Sequence, residues 1–143
     1  MSDRPRFVID ASTVVSAALF AGSTPDQAIR LALASGDVLL SVETIGELRD
    51  VLARPKFDRY LTRDERDLLL TKLIQRGVVI EITESVQACR DPRDDKYLAL
   101  AVSGHATCII SGDVDLLSLH PFREMPILSA AEFLAQLPSM TSG

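Results

Sequence analysis

Phe7-Val8-Ile9-Asp10-Ala11-Ser12 and Cys108-Ile109-Ile110-Ser111-Gly112-Asp113 are short apolar runs that each end in an acid and a serine. Both have the length of a buried strand. After the first, Val14, Val15, Ala18 and Leu19 recur at helical spacing, so a helix is expected from about Ser12. Parallel strands covered by helices share one carboxyl edge, and ligands bind in the crevice there. Asp10 and Asp113 are therefore expected on one rim, where the sheet itself has no need of them.

Working outward, the same alternation continues through the chain. Thr24-Pro25-Asp26-Gln27 supplies a cap and a first-turn proline for a second helix that ends at Gly36. Val38 to Leu40 reads as a second strand, and Ser41 caps a helix carrying Ile45, Leu48, Val51 and Leu52 that Pro55 stops. Thr62-Arg63-Asp64-Glu65 is a capping box that opens a helix with Leu68, Leu69, Leu73 and Ile74 as its apolar residues. A third strand is expected over Val78 to Ile82. The next helix turns Tyr97, Leu98, Ala101 and Val102 inward and ends at Gly104, Ile127 lies in a short fifth strand, and Ser129 to Glu132 caps the last helix. Residues 1–138 form one domain and 139–143 a frayed tail.

The chain has 143 residues, 47% of them apolar, which is enough for a core of its own. Twenty acidic against fifteen basic residues leave a net charge of −5, which argues against a protein that coats duplex DNA. It leaves room for a nuclease, because sites for divalent cations need negative charge. Cys89 and Cys108 are far apart and lack zinc-ligand spacing, so free thiols in a reducing compartment are expected. No signal-peptide core and no apolar run of membrane-spanning length is present, so a cytoplasmic protein is expected.

Five acidic residues stand out. Asp10 and Asp113 suit helix caps as well as they suit catalysis. Glu47 sits between the inward Ile45 and Leu48, where a solvated helix face is the plain alternative. Asp94 and Asp95 open a helix, where the macrodipole favours acids without any further purpose. Ser12 and Ser111 each put a hydroxyl two residues from a strand-end acid, which suits orienting a carboxylate or a metal-bound water, although capping alone also explains them. Convergent like charges call for a compensating cation. Oxygen ligands without a His or Cys cluster point to Mg²⁺ or Mn²⁺, and a metal-activated water attacking a phosphodiester is the matching chemistry.

In this order the blocks resemble the PIN domain family, and most closely its bacterial branch of toxins from toxin–antitoxin pairs. Val8-Ile9-Asp10-Ala11-Ser12 is similar to the opening strand, and Glu43 to Leu48 to the helix bearing the second acid. Asp91-Pro92-Arg93-Asp94-Asp95-Lys96-Tyr97-Leu98-Ala99 resembles the third block, and Ile109 to Leu117 the fourth. The likeness runs from Phe7 to Phe133. It implies a three-layer α/β fold with a parallel sheet of about five strands flanked by helices. It also implies an RNA substrate, a cognate antitoxin and a homodimer. Carried over residue by residue, Asp10, Glu47, Asp94 and Asp113 are the catalytic, metal-binding quartet and Asp115 is a fifth acid. Ser12, Ser111 and Asp95 are supporting residues, Asp95 being the alternative to Asp94 as ligand.

Residues 49–76 carry eight basic side chains against five acidic ones. Arg49, Arg54 and Lys56 follow Glu47 and are candidates for RNA phosphates, with ordinary exposed helix charges as the alternative. A haloacid-dehalogenase-like phosphatase needs a second acid two residues after the first, and Ser12 holds that place. Neither His105 nor His120 pairs with a Ser or Cys nucleophile. A catalytically silent PIN-fold module that binds RNA or protein is the remaining alternative.

Overall fold

The structure is a computed structural model that describes residues 4–141. Five strands, β1 (Arg6–Ile9), β2 (Asp37–Leu40), β3 (Val78–Val79), β4 (Cys108–Ile110) and β5 (Ile127–Leu128), form one parallel sheet in the order β3-β2-β1-β4-β5. The first three strands step one way from β1 and the last two step the other way. The point of reversal lies between β1 and β4, where Ile9 pairs with Ile110.

Alternation along the central strands sorts the core into two layers. Phe7, Ile9, Cys108 and Ile110 face one side with α1 (Ala11–Leu19), α2 (Thr24–Ser35), α3 (Val42–Leu52) and α7 (Ala130–Thr141). On that side the Phe7 and Phe133 rings meet edge to face at 5.1 Å. Val8, Leu39, Ile109 and Ile127 face the other side, packed on α5 (Asp95–Gly104) through Tyr97, Leu98, Leu100 and Ala101. Leu116 of α6 (Val114–Leu117) joins this second layer. The result is the helix–sheet–helix arrangement expected of the sequence. Among the described residues, no helix is long and apolar enough to cross a membrane.

Several boundaries differ from the expectation. The first helix starts at Ala11, one residue early, because the Asp10 carboxylate accepts the Thr13 N–H and acts as its N-cap. Ser23, not Thr24, caps α2. Strand β3 stops at Val79 and does not reach Ile82. Ile80 still donates to the Leu40 carbonyl at 2.8 Å, but the N–H groups of Thr83 and Glu84 turn to the Ser103 hydroxyl and draw the chain off the sheet edge. In α4 (Arg63–Arg76) Leu68 is 53% exposed and Ile74 also faces outward, while Leu69, Leu70 and Leu73 face the core. Backbone helix continues to Thr141, past the start of the expected tail, of which residues 142–143 lie outside the described residues.

Gly36 is a point of close approach, since a Cβ built there would lie 2.2 Å from the Pro5 carbonyl oxygen, the acceptor for the Asp37 N–H. Gly36→Ala is expected to lower stability by about 2–3 kcal/mol through overpacking against backbone. In helix α3, a methyl added at Gly46 would meet only open space, and Gly46→Ala is expected to raise stability by about 1 kcal/mol. Urea unfolding of the two variants checks both signs.

Candidate active site

The β1–β4 register makes Asp10 and Ser111 neighbours, because each follows a paired isoleucine. Asp10 is 4% exposed, and its N–H donates to the Ile110 carbonyl at 3.1 Å. One carboxylate oxygen accepts the Thr13 N–H at 2.9 Å and the other accepts the hydroxyl of the fully buried Ser111. The Ser111 oxygen in turn accepts the Asp113 N–H at 2.9 Å, and Asp113 caps α6 by accepting the Asp115 N–H at 2.8 Å. A single serine thus ties together both strand-end acids.

Asp94 ends a 3₁₀ turn at Pro92–Asp94 and reaches Asp113 across the rim. Its pKa is pushed up to about 6, first by burial, then by the charge of Asp113 and a hydrogen bond to it, with Asp91 and Glu47 adding to the effect. Asp95 points elsewhere. It accepts the N–H groups of Ala88 and Cys89 at 3.0 and 2.7 Å. Burial pushes its carboxyl up, but these N–H groups outweigh burial and leave it below its ordinary value. The structure therefore gives Asp95 the task of holding the preceding loop, and Asp94 is the acid in the cluster.

Glu47 arrives from α3 and is held at both oxygens. The Tyr97 hydroxyl donates to Oε1 at 2.7 Å while accepting the Ala11 N–H at 3.1 Å, and the Lys96 ammonium lies on Oε2. Tyr97 is buried, and its phenol is raised above its ordinary pKa by burial and then by the Glu47 hydrogen bond, so it acts as a donor. A cleft of about 610 Å³ opens above these groups, bordered by Ser12, Glu47, Asp94 and Asp113. Six carboxylates line it (Glu43, Glu47, Asp50, Asp91, Asp94 and Asp113) against three cations (Arg54, Arg93 and Lys96), so it is net negative. A profile of the PIN domain matches residues 6–115, the span that carries all of these groups. The chain belongs to the PIN domain family.

A protein of Methanocaldococcus jannaschii named as uncharacterized protein MJ1680 is 30% identical over 116 residues, which are 80% of this chain and 74% of that one. Among solved structures, PAE2754 from Pyrobaculum aerophilum superposes with a TM-score of 0.65 at 15% identity, covering 94% of this chain and 91% of that one. VapBC2 from Rickettsia felis, solved with a DNA fragment from its promoter, superposes with a TM-score of 0.60 at 9% identity, covering 85% and 96%. At those identities the two structures establish the fold that this PIN domain shares.

Not every expected residue joins the cluster. Asp115 contributes its backbone N–H to Asp113, and its side chain is not part of the cleft lining. Ser12 is exposed at the cleft, whereas Ser111 is buried beneath it. Of the three basic candidates only Arg54 borders the cleft. Arg49 lines a different cavity between α3 and α4, and Lys56 places its ammonium 5.2 Å from the centre of the Phe57 ring. The sequence reading missed Lys96 and took Tyr97 as a core residue only. Signals for both existed: a lysine in a helix's first turn opposes the macrodipole, and a buried tyrosine needs a partner for its hydroxyl.

The donor chemistry of the PIN site fits a hard divalent cation, with oxygen ligands throughout. Burial, followed by the nearby Asp95, pushes the neighbouring Cys89 thiol up to about 12, which keeps it protonated and a poor ligand. Among the described residues, no group of three or more His, Cys, Asp or Glu side chains is drawn tightly enough to hold a metal ion as it stands. The best-compensated acid is Glu47, and the least compensated is Asp94.

Two outcomes follow for this PIN domain. Because the Asp94 pKa is raised from 3.8 to about 6, its ionisation opposes folding; the stability is whole below about pH 4 and is lost as pH rises through about 6. Asp94→Asn should remove that dependence and melt a few degrees higher than wild type at pH 7.5 in EDTA, while adding 10 mM Mg²⁺ should raise the wild-type melting temperature more than the variant's. Tyr97→Phe strips Glu47 and the Ala11 N–H of a shared partner, and should cost about 1–2 kcal/mol in urea unfolding. It should also weaken Mn²⁺ binding several-fold by electron paramagnetic resonance.

Proposed function

We propose that this PIN domain is a Mg²⁺- or Mn²⁺-dependent ribonuclease that hydrolyses phosphodiester bonds with a water nucleophile. The observation that carries this reading is the gathering of Asp10, Asp94 and Asp113 at the sheet's switch point, with Asp94 pushed up to about 6 by burial and by its acidic neighbours. Asp10, Asp94 and Asp113, with Glu47 across the cleft, are the residues that would hold the cation. When bound, a divalent ion lowers the pKa of water and offsets the charge of the phosphate. Ser111 fixes the angle between Asp10 and Asp113, Tyr97 fixes Glu47, and Arg54 offers the rim a charge for substrate phosphate. The fold shared with VapBC2 of Rickettsia felis, together with the resemblance of the motifs, supports a toxin role beside a cognate antitoxin.

A second reading is a PIN-fold module that binds RNA or a protein without cleaving it. One observation favours it, the Lys96 ammonium seated on Glu47. Incubation of a mixed RNA pool with Mg²⁺ or Mn²⁺ separates the two. The nuclease reading expects cleavage by wild type that EDTA abolishes and that Asp10→Asn and Asp113→Asn each reduce by at least about 100-fold. Cleavage of equal rate in all three proteins would sink it, and no cleavage by any of them would favour the binding module.

A further inference from the structure

We infer that the cavity between α3 and α4 is a second phosphate site that holds a backbone phosphodiester of an RNA strand whose scissile bond lies in the acidic cleft. It has a volume of about 180 Å³ and is bordered by Arg49, Arg63 and Arg66, with Leu52 and Leu70 beside them and Asp67 as the only acid in its lining. Three guanidinium groups against one carboxylate make a local positive centre in a chain of net charge −5.

The three arginines are incompletely compensated. Arg49 and Arg63 form no ion pair among the described residues. Arg66 is 14% exposed, and it donates to Asp58 at 2.9 Å through Nη2, yet its buried Nε has no hydrogen-bond partner. Guanidinium groups recognise phosphate oxygens in paired, charge-assisted hydrogen bonds, and the exposed Arg49 and Arg63 are placed at the cavity to make them. The cavity is also smaller than the roughly 300 Å³ at which pockets for whole organic ligands begin. A phosphate group fits that limit better than a base or a metabolite does.

The neighbouring chemistry indicates where the phosphate comes from. Helix α3 turns Glu47 and Asp50 to the acidic cleft and Arg49 and Leu52 to the cavity, and just past its end Arg54 borders the cleft and Ala53 the cavity, so the two openings flank one helix about 10–12 Å across. A single strand a few nucleotides long spans that width. The identity of the strand as RNA rests on the ribonuclease reading above, whereas the phosphate site itself does not.

The test measures binding of a fluorescein-labelled single-stranded RNA dodecamer to the full chain in EDTA over a range of salt. Arg49→Gln/Arg63→Gln alters two exposed side chains and is expected to weaken binding about tenfold. The slope of log affinity against log salt should fall in size by about 0.7, the value for one single-strand phosphate. On the unaltered protein, RNA is expected to shield Arg49 and Arg63 from phenylglyoxal as read by mass spectrometry. Unchanged affinity and slope, or no shielding, overturns the inference. Equal shielding by inorganic phosphate at the same phosphate concentration overturns the assignment to an RNA strand. Cleavage in Mg²⁺ by the same samples keeps the two proposals apart: an altered slope without wild-type cleavage upholds this site and rejects the ribonuclease, and an unchanged slope with intact cleavage does the reverse.

Discussion

The Ser111 hydroxyl is the contact on which the acidic site depends. It has one proton to donate, which goes to Asp10, and its oxygen accepts the Asp113 N–H. This arrangement follows from strand register, because Ile9 opposite Ile110 brings the next residues of β1 and β4 together at the carboxyl edge. A slip of one residue would turn every side chain of a strand to the opposite face. The apolar alternation that buries Phe7 and Ile9 in one layer and Val8 in the other therefore also sets the distance between the acids.

Gathering carboxylates in a cleft is unfavourable unless each is compensated, and the structure compensates them in different ways. Asp10 has a backbone N–H and a serine. Asp113 has a backbone N–H at 2.8 Å, and Glu47 has a phenol and an ammonium. Asp94 has mainly burial and like charges around it, which is why it moves to about 6. The adjacent Asp95 moves the opposite way because two loop N–H groups point at it. Two consecutive aspartates are thus driven apart by burial and like charges on one side and by loop N–H groups on the other. Among the acids of the cleft, Asp94 has the most to gain from a cation.

Much of this was legible in the sequence because strand and cap signals are local. Ser41, the Thr62–Glu65 box and Ser129 cap their helices as the residue types imply, and the strand-end acids lie on one rim as parallel topology requires. What stayed hidden depended on partners distant in sequence. That Asp94 faces the cleft while Asp95 turns away depends on the loop at Ala88 and Cys89, and the early end of β3 on a serine of α5. Arg49 looked like a companion of Glu47 because the two are close in the chain. Helical geometry turns them to different faces of α3.

Tyr97 shows why the site cannot be separated from the core. Its ring packs in the second layer with Val8 and Ile109, while its hydroxyl reaches both Glu47 and the start of α1, the helix that Asp10 caps. A packed interior transmits small displacements, since its side chains have little free volume to absorb them. Repacking around Leu98 or Ile109 would therefore shift the phenol, and with it the carboxylate across the cleft. The geometry of the acids is held from beneath by apolar contacts that never touch a substrate, which makes the interior on the α5 side as much a determinant of the site as the acids themselves.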